Sequence, residues 1–310
     1  MNTAAISTRR PPDGFAVMLM IVLCAIWGFQ QVAIKSTNAA LGPMFQAGLR
    51  SAIATVLVWA WARSQRTPLF RDDGTLGAGL FAGLLFAGEF ICIFIGLTLT
   101  SASRMAVFLY TAPCFTALGL HAFVAGERMR RAQWLGIGIA FAGMALAFAD
   151  GFARAPSPGS SMLTGLIGDA LGVLAGILWA ATTVVVRATS LSHSSASKTL
   201  FYQLAVSAVV MLALAFVLGE GRVDHVTPIA LASLAYQAVI VAFVSYLTWF
   251  WLLKRYMASR LSVFSFLTPL FGVSFGVMLL GESFSGRFLV AAALVLIGIL
   301  IVNSPAPRKR

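Results

Sequence analysis

The chain has 310 residues, of which 59% are hydrophobic and only 10% are charged, and its mean hydropathy is +0.90. Soluble domains carry about 25% charged residues, so this composition excludes an ordinary soluble fold and indicates a protein embedded in a bilayer. The net charge of +12 is scattered between apolar runs and forms no basic face of the kind that nucleic-acid binding needs, so no nucleic-acid partner is expected.

Ten apolar windows follow one another along the chain, each near the length that crosses the hydrocarbon core. They lie near residues 15–34, 44–62, 75–99, 105–126, 132–149, 163–186, 200–219, 228–253, 261–281 and 284–302. The first window follows two arginines but is expected to be retained, because its counterpart lies in mid-chain where no signal peptide belongs. The predicted fold class is an all-α membrane protein with ten transmembrane helices.

The cations predict the orientation of these helices. With a cytoplasmic N-terminus, sixteen of the 22 Lys and Arg residues fall on cytoplasmic segments. The six on the other side are Lys35, Arg50, Arg104, Arg154, Arg222 and Arg287. By the positive-inside rule, both termini are predicted to face the cytoplasm.

One stretch of the chain occurs twice. Residues 102–113 and 258–269 agree at six of twelve positions, at an offset of 156. Trp27 likewise recurs as Trp179 at an offset of 152. A period this long exceeds that of solenoid repeats, which is about 20–50 residues, so a whole domain has been duplicated.

The duplication predicts three parts of the chain. Residues 1–150 form a first five-helix repeat, 151–165 a linker rich in Pro, Gly and Ser, and 166–310 a second five-helix repeat. Because five is odd, the second repeat enters the membrane upside down relative to the first.

Glu89 lies in the middle of the third apolar run. A charge there costs about 2.5–3.5 kcal/mol on insertion scales, so the side chain is expected to face protein or a water-filled cavity. Two interpretations stay open: a cation or proton site, or a protonated carboxyl that bonds to a neighbouring helix. Ser245 stands at the matching position of the second half, which argues against a symmetric proton relay.

A polar face beside a tryptophan recurs in helices one and six. Its members are Trp27, Gln30 and Gln31, and then Trp179, Thr182 and Thr183. Residues at i, i+3 and i+4 share one side of a helix. This side is interpreted as the wall of a cavity, with interhelical packing as the alternative.

Two prolines stand at matched positions inside apolar runs, Pro113 and Pro269. Each removes a helix hydrogen bond, so kinks are expected there, either as hinges or as static packing features. Tyr110 and Thr111 precede the first kink, and interrupted helices at matched sites are where transporters bind substrate.

Other charged residues are expected to be structural. Glu127 and Glu282 precede the next helix, where a carboxylate favours the positive end of its dipole. Arg104 and Arg260 are expected to anchor helices at the interface. His121 is expected to be a neutral, hydrogen-bonded imidazole. Glycines four apart, such as Gly79 with Gly83 and Gly168 with Gly172 and Gly176, predict close helix packing.

Taken together and in order, these motifs resemble the EamA-type branch of the drug/metabolite transporter superfamily over nearly the whole chain. The motifs are Trp27-Gly28, Pro43 with Arg50, the segment from Pro113 to Glu127, and the segment from Pro269 to Glu282. The second half departs from the first at three positions: Ala180 stands where the first half has Gly28, Tyr202 lies near the position of Arg50, and Ser283 stands where the first half has Arg128. The resemblance implies a ten-helix carrier of two inverted repeats in a bacterial inner membrane, with a central cavity that opens alternately to each side.

The resemblance also implies export of small metabolites, most of all neutral or aromatic amino acids, by a monomer or homodimer in contact with lipid. A proton-coupled exporter of cationic drugs using Glu89 is the alternative. An enzyme is disfavoured because the sequence has no HExxH, no GxSxG and no pair of intramembrane carboxylates; no cofactor or metal is expected. From helix faces and repeat symmetry, the predicted lining is Trp27, Gln30, Phe86, Glu89, Phe90, Tyr110, Thr111, Trp179, Thr183 and Tyr246, with hinges at Pro113 and Pro269.

Overall fold

The computed structural model describes residues 9–38, 41–100, 102–149, 162–220, 227–280 and 286–304. Every regular element in these ranges is helical, and the one β-bridge pairs Arg10 with Tyr256. The predicted all-α class is therefore confirmed. Glu282 and residues 151–161 of the predicted linker lie outside the described part of the chain.

The helices are numbered in chain order. They are α1 (Gly14–Asn38), α2 (Pro43–Ser64), α3 (Leu76–Leu99), α4 (Ala102–Leu109), α5 (Ala112–Phe123), α6 (Arg131–Ala147), α7 (Met162–Ala188), α8 (Ala196–Val217), α9 (Pro228–Ala235), α10 (Tyr246–Arg255), α11 (Ala258–Leu261), α12 (Leu267–Leu280) and α13 (Gly286–Asn303). Helix α7 begins inside the predicted linker 151–165. A π-helical segment, Tyr236–Ser245, joins α9 to α10.

Seven helical segments of the described chain are long and apolar enough to cross a membrane. They are Leu76–Leu99, Arg104–Phe123, Met162–Ala188, Ala196–Val217, Pro228–Arg255, Ala258–Phe275 and Gly286–Asn303. Gly14–Gln30 is a shorter apolar helix. Helix α2 carries Arg50 and Arg63, and α6 has only 17 residues, which explains why these two fall outside the group.

The outer surface of the bundle is apolar. Val209 and Leu300 are each 70% exposed, and Phe216 is 84% exposed. Contiguous apolar surface of this kind marks contact with another apolar phase. Hydrocarbon tails of lipids are the medium that fits a bundle of these helices.

Helices from the two predicted halves pack against each other throughout. Helix α6 packs on α13, α3 on α7, α2 on α8, and α1 on α12. Glycines permit some of these contacts: a Cβ atom at Gly83 would lie 2.6 Å from Cβ of Val206, and one at Gly28 would lie 2.9 Å from the backbone nitrogen of Gly272. The close packing predicted from the glycine spacing is therefore present.

Both proline-containing runs are interrupted. Helix α4 ends at Leu109 and α5 begins at Ala112, one residue before Pro113. In the matching run, a 3-10 segment, Ser262–Phe266, separates α11 from α12, and Pro269 follows in the first turn of α12. Each break falls on the N-terminal side of its proline, where the proline ring cannot accept the helical path of the preceding turn.

Two arginines are placed differently from expectation. Arg104 was expected to be an interfacial anchor, yet it forms an ion pair with Asp169 of α7, which also accepts a 2.8 Å hydrogen bond from Oγ1 of Thr100. Arg50 was assigned to an outside segment, yet it is 2% exposed and lies inside the bundle. The ring of Phe90, whose centroid is 4.7 Å from its guanidinium carbon, supplies a cation–π contact there.

We predict that two Gly→Ala substitutions in α3 differ in their effect on stability. Gly83→Ala forces apart α3 and α8 and should destabilise the fold by about 1–3 kcal/mol, as overpacking does. Gly77→Ala is the matched control, because a Cβ there has no atom within 4 Å and gains helix propensity. Melting temperatures in detergent should fall for the first variant and be equal or higher for the second. Equal melting temperatures would contradict the close contact.

Candidate functional site

A cavity lies in the centre of the bundle. Its volume is about 180 Å³, whereas a single buried water needs roughly 10–15 Å³. The wall is predominantly apolar and aromatic with a few polar groups, which is the usual make-up of a small-molecule site. The lining residues are Trp27, Gln30, Ile34, Phe86, Glu89, Phe90, Ile93, Phe94, Leu97, Leu109, Tyr110, Trp179, Thr182, Thr183, Gln203, Tyr246, Trp249 and Phe250.

The structure brings nine of the ten predicted lining residues together around this cavity. They are Trp27, Gln30, Phe86, Glu89, Phe90, Tyr110, Trp179, Thr183 and Tyr246. Thr111 is not among the residues that line the cavity. Its hydroxyl donates to the carbonyl of Phe108 at 2.5 Å and packs against Gly176, because the chain turns between α4 and α5 at this point.

Several lining residues were missed by sequence reasoning. Thr182 was placed on the polar face of helix six but was left out of the predicted lining. Trp249 follows Tyr246 by three residues, so helical spacing alone was a signal for it. Gln203 is a single amide in an apolar helix, and no repeated motif marked it. The side chain of Gln31 lies outside the described part of the structure.

Edge-to-face aromatic contacts hold the cavity wall. The ring centroids of Phe86 and Phe90 are 5.1 Å apart, and those of Phe86 and Tyr246 are 6.0 Å apart. The ring centroids of Tyr110 and Trp179, which also line the cavity, are 5.8 Å apart. Such pairs are worth about 0.5–1.5 kcal/mol beyond burial, and they fix ring orientations.

The π-helical segment positions one side of the wall. Its last residue, Ser245, accepts a 2.8 Å hydrogen bond from Nε1 of Trp27 and donates at 2.5 Å to the carbonyl of Val241. This orients the Trp27 indole, which lies 6.0 Å from the ring of Trp249. Wide helical turns of this kind are frequent at functional sites, because they change the direction of the side chains that follow.

Glu89 reaches the cavity wall in the middle of α3. It is 8% exposed, and the described hydrogen bonds and ion pairs do not include its carboxyl group. Of the two interpretations left open by the sequence, the carboxyl bonded to a neighbouring helix finds no such bond in the described residues. The nearby cation is Arg50 of α2, whose charge acts on Glu89 without direct contact.

A buried ion pair ties the two halves together at one end of the bundle. Glu127, which follows α5, pairs with Arg187 near the end of α7, and both side chains are 2–3% exposed. Glu127 also accepts hydrogen bonds from the backbone of Ala258 and from the backbone and hydroxyl of Ser259, at 2.6–3.1 Å. We call this the Glu127 cluster.

This arrangement corrects the expected role of Glu127. The carboxylate was expected to serve the next helix in sequence, α6, but it caps the helical segment that begins at Ala258, 131 residues further on. The pairing with Arg187 explains the difference: both charges are buried, and a buried carboxylate needs a cation and several N–H donors to offset its lost hydration. Arg187 donates its other amino group to the carbonyl of Leu253 at 2.7 Å.

Further polar contacts surround the Glu127 cluster. The ammonium group of Lys198, 2% exposed, donates to Asp73 and to the carbonyl of Arg71 at 2.7–2.8 Å. The hydrogen bond from Lys198 lowers the pKa of Asp73 to about 2. Lys254 donates to the carbonyl of Leu191 at 2.6 Å. This end of the bundle is thereby crosslinked by charge-assisted hydrogen bonds.

The cavity extends away from the Glu127 cluster. Its lining runs along α3 from Phe86 to Leu97 and along α1 from Trp27 to Ile34. At 1.5 Å per residue, the stretch on α3 covers about 16 Å. Both stretches lead toward the far ends of their helices, at Leu99 and Asn38. The site therefore lies between the end that holds the Glu127 cluster and the end where α1 and α3 finish.

A bundle of apolar helices around a central cavity that extends toward one end is the architecture of a membrane transporter. The EamA-like transporter family matches the chain twice, over residues 14–149 and 166–304. The chain belongs to this family, and it is a multi-pass membrane transporter.

Three relatives align with nearly the full length of this chain. A probable amino-acid metabolite efflux pump of Salmonella typhimurium is 28% identical over 298 residues, which span 93% of this chain and 94% of the relative. A protein of the same description from Escherichia coli is 26% identical, with 93% and 94% covered. An uncharacterized transporter of Bacillus subtilis is 24% identical, with 95% and 99% covered.

A solved crystal structure shares the fold. It superimposes with a TM-score of 0.78 at 20% identity, and the match covers 94% of this chain and 96% of the other.

We predict that Glu127 makes the stability of the protein sensitive to acid. Burial alone would raise the pKa of Glu127, but the Arg187 charge and the hydrogen bonds from Ser259 and Ala258 outweigh it and hold the pKa below its ordinary value. A lowered pKa contributes stability above the unfolded value of about 4.3, and this contribution is lost as pH falls through the folded value.

Glu127→Gln should therefore destabilise the protein at pH 7, because removing one member of a buried pair costs about 3–5 kcal/mol. The gap in melting temperature between wild type and this variant should narrow as the pH drops below the unfolded pKa. Glu220→Gln is the control, since Glu220 bonds to the backbone of Met44 outside this cluster. A gap that stays constant with pH would contradict the prediction.

Proposed function

We propose that the protein exports small metabolites, most of all neutral or aromatic amino acids, by alternating access through the central cavity. The observation that carries the proposal is the cavity itself, which is lined by helices of both halves and dominated by aromatic rings. Aromatic walls fit apolar side chains, and the few polar groups fit the amino-acid backbone. The descriptions of the Salmonella and Escherichia relatives as amino-acid metabolite efflux pumps support this substrate class.

The proposal includes ten transmembrane helices in two inverted five-helix repeats, in a bacterial inner membrane. The double family match supports the two repeats. The packing also supports the two repeats, because contacts in one half have counterparts in the other. Helix α3 of the first half packs on α7, the first helix of the second half; correspondingly, α9 and the π-helical segment of the second half pack on α1, the first helix of the first half. In the same way, α5 packs on α7, and α12 packs on α1. An axis in the membrane plane that relates the halves would produce this exchange of partners.

Alternating access gives the breaks before Pro113 and Pro269 a role as hinges. Helix ends that lack continuous hydrogen bonding absorb backbone rotation at low cost, so the adjoining segments can rock about them. In the present state, access is proposed from the end where α1 and α3 finish, while the Glu127 cluster holds the opposite end shut.

A second candidate function is favoured by Glu89 alone. A carboxyl group that lines the cavity and is free of described hydrogen bonds suits a proton-coupled exporter of cationic drugs. In this alternative the proton and the cationic substrate compete for Glu89, so a pH gradient drives export.

We predict that an indole placed in the cavity blocks transport. Thr183→Trp should lower the flux of labelled amino acids through proteoliposomes at least about tenfold, because the added ring fills much of the site that must discriminate by shape. Thr98→Trp is the matched control, since Thr98 is an exposed residue of α3 outside the cavity lining. Equal flux in both variants would place the pathway elsewhere.

We also predict that flux of neutral or aromatic amino acids persists without a pH gradient. The reason is that a zwitterion carries no net charge, so its passage moves no net charge and requires no co-transported ion. Flux in proteoliposomes should be compared with and without an imposed gradient, for wild type and Glu89→Gln. Flux of cationic drugs that requires the gradient and is lost in Glu89→Gln would replace the first proposal with the second.

A further inference from the structure

Arg50 has donor groups without acceptors next to the cavity. The side chain is 2% exposed, and Nε and Nη2 find no hydrogen-bond partner in the described structure. Buried guanidinium groups are normally paired with a carboxylate, because an unpaired buried charge is costly. This arginine therefore retains capacity for an anionic oxygen that the described residues do not supply.

Arg50 is separated from the cavity by a single ring. Its guanidinium carbon lies 4.7 Å from the centroid of Phe90, and Phe90 lines the cavity while Arg50 does not. Phe90 also contacts Phe86, and rotation of the Phe90 side chain about its χ1 and χ2 bonds is the movement that would uncover the guanidinium. Side-chain rotation of this kind requires no backbone movement.

An acidic side chain, Glu89, stands beside Arg50 and has no ion pair in the described structure either. Glu89 precedes Phe90 in α3, lines the cavity, and interacts with the Arg50 charge without the N–O contact of an ion pair. Among the other described acids, Asp73, Asp169 and Glu127 each have a cationic partner. Arg50 and Glu89 are thus a basic and an acidic group near one cavity with no ion pair between them.

Gln203 is a further polar group with an unpartnered donor, and it lines the same cavity. Gln203 is 1% exposed, lines the cavity, and its amide nitrogen has no described hydrogen-bond partner. It is the eighth residue of α8, as Arg50 is the eighth residue of α2. The two helices contact each other through a 3.3 Å approach of the Ser51 and Ser207 hydroxyl groups. The second half therefore carries a neutral amide where the first half carries a cation.

We propose that Arg50 and Glu89 together recognise the zwitterionic head of an α-amino acid. Arg50 takes the carboxylate in a charge-assisted fork, Glu89 takes the ammonium group, and the aromatic wall takes the side chain. This rests on the proposed function and defines its specificity: an amine without a carboxylate leaves Arg50 unpaired, and an acid without an ammonium group leaves Glu89 unpaired. Buried groups left unpaired are what makes such a site reject an analogue.

The test measures binding to purified protein by calorimetry with matched ligands. The probes are phenylalanine and leucine, their decarboxylated analogues phenethylamine and isopentylamine, and their deaminated analogues phenylpropionate and isocaproate. Wild type should prefer at least one amino acid over both of its analogues by about tenfold or more, since each analogue loses a charge-assisted pair. Equal affinity for the analogues would overturn the proposal without any substitution.

Two variants assign the groups. Arg50→Gln installs the side chain found at Gln203 and should weaken amino-acid binding by about tenfold or more while leaving the amine unaffected. Glu89→Gln should weaken binding of the amino acid and the amine and leave the acid unaffected. Retained binding of one analogue shows in each case that the variant is folded.

The double variant Arg50→Gln with Glu89→Gln separates recognition from mutual neutralisation. Under the proposal it binds the amino acid no better than Arg50→Gln does. Recovery to wild-type affinity would mean that the two charges only neutralise each other, and would overturn the proposal. If the wild-type protein binds neither phenylalanine nor leucine, both the proposed amino-acid function and this inference are wrong. If the wild-type protein binds one of them and the Arg50→Gln variant binds it equally well, only this inference is wrong.

Discussion

The buried pair of Glu127 and Arg187 constrains the rest of the structure. Two charges that are 2–3% exposed must find each other and several further hydrogen bonds, or the fold bears the cost of an unpaired ion. Satisfying Glu127 brings the start of α11 and the end of α7 to the loop after α5. Three segments from distant parts of the sequence are thereby fixed at one end of the bundle, while the cavity occupies the middle and extends toward the other end.

Much of the cavity could be predicted from the sequence, because bilayers leave few permissible positions for polar groups. Glu89 could only face protein or cavity, and Trp27 and Trp179 stood on repeated polar faces. Those constraints act within one helix and need no knowledge of its neighbours. Thr111 lies outside the lining because its hydroxyl donates to the carbonyl of Phe108 at the break between α4 and α5. Pro113 predicts this break, but it does not predict the direction in which the preceding side chains point.

The parts that could not be predicted depend on which helices meet. The sequence assigns Arg50 to the non-cytoplasmic side of the membrane, and only the packing of α2 beside α3 places it against Phe90. Glu127 has a local explanation as the cap of α6, yet its partners come from other helices. The π-helical turns leave no simple sequence mark either, although they bring Ser245 to Trp27.

Three of the seven tryptophans in the chain, Trp27, Trp179 and Trp249, line the cavity. Indole emission responds to the polarity and charge around the ring, so the molecule contains its own optical sensor at the place where a ligand would sit. Occupancy and the entry of water into the cavity would both change the emission, without any attached dye. The same rings that shape the site thus make its filling and emptying observable in real time.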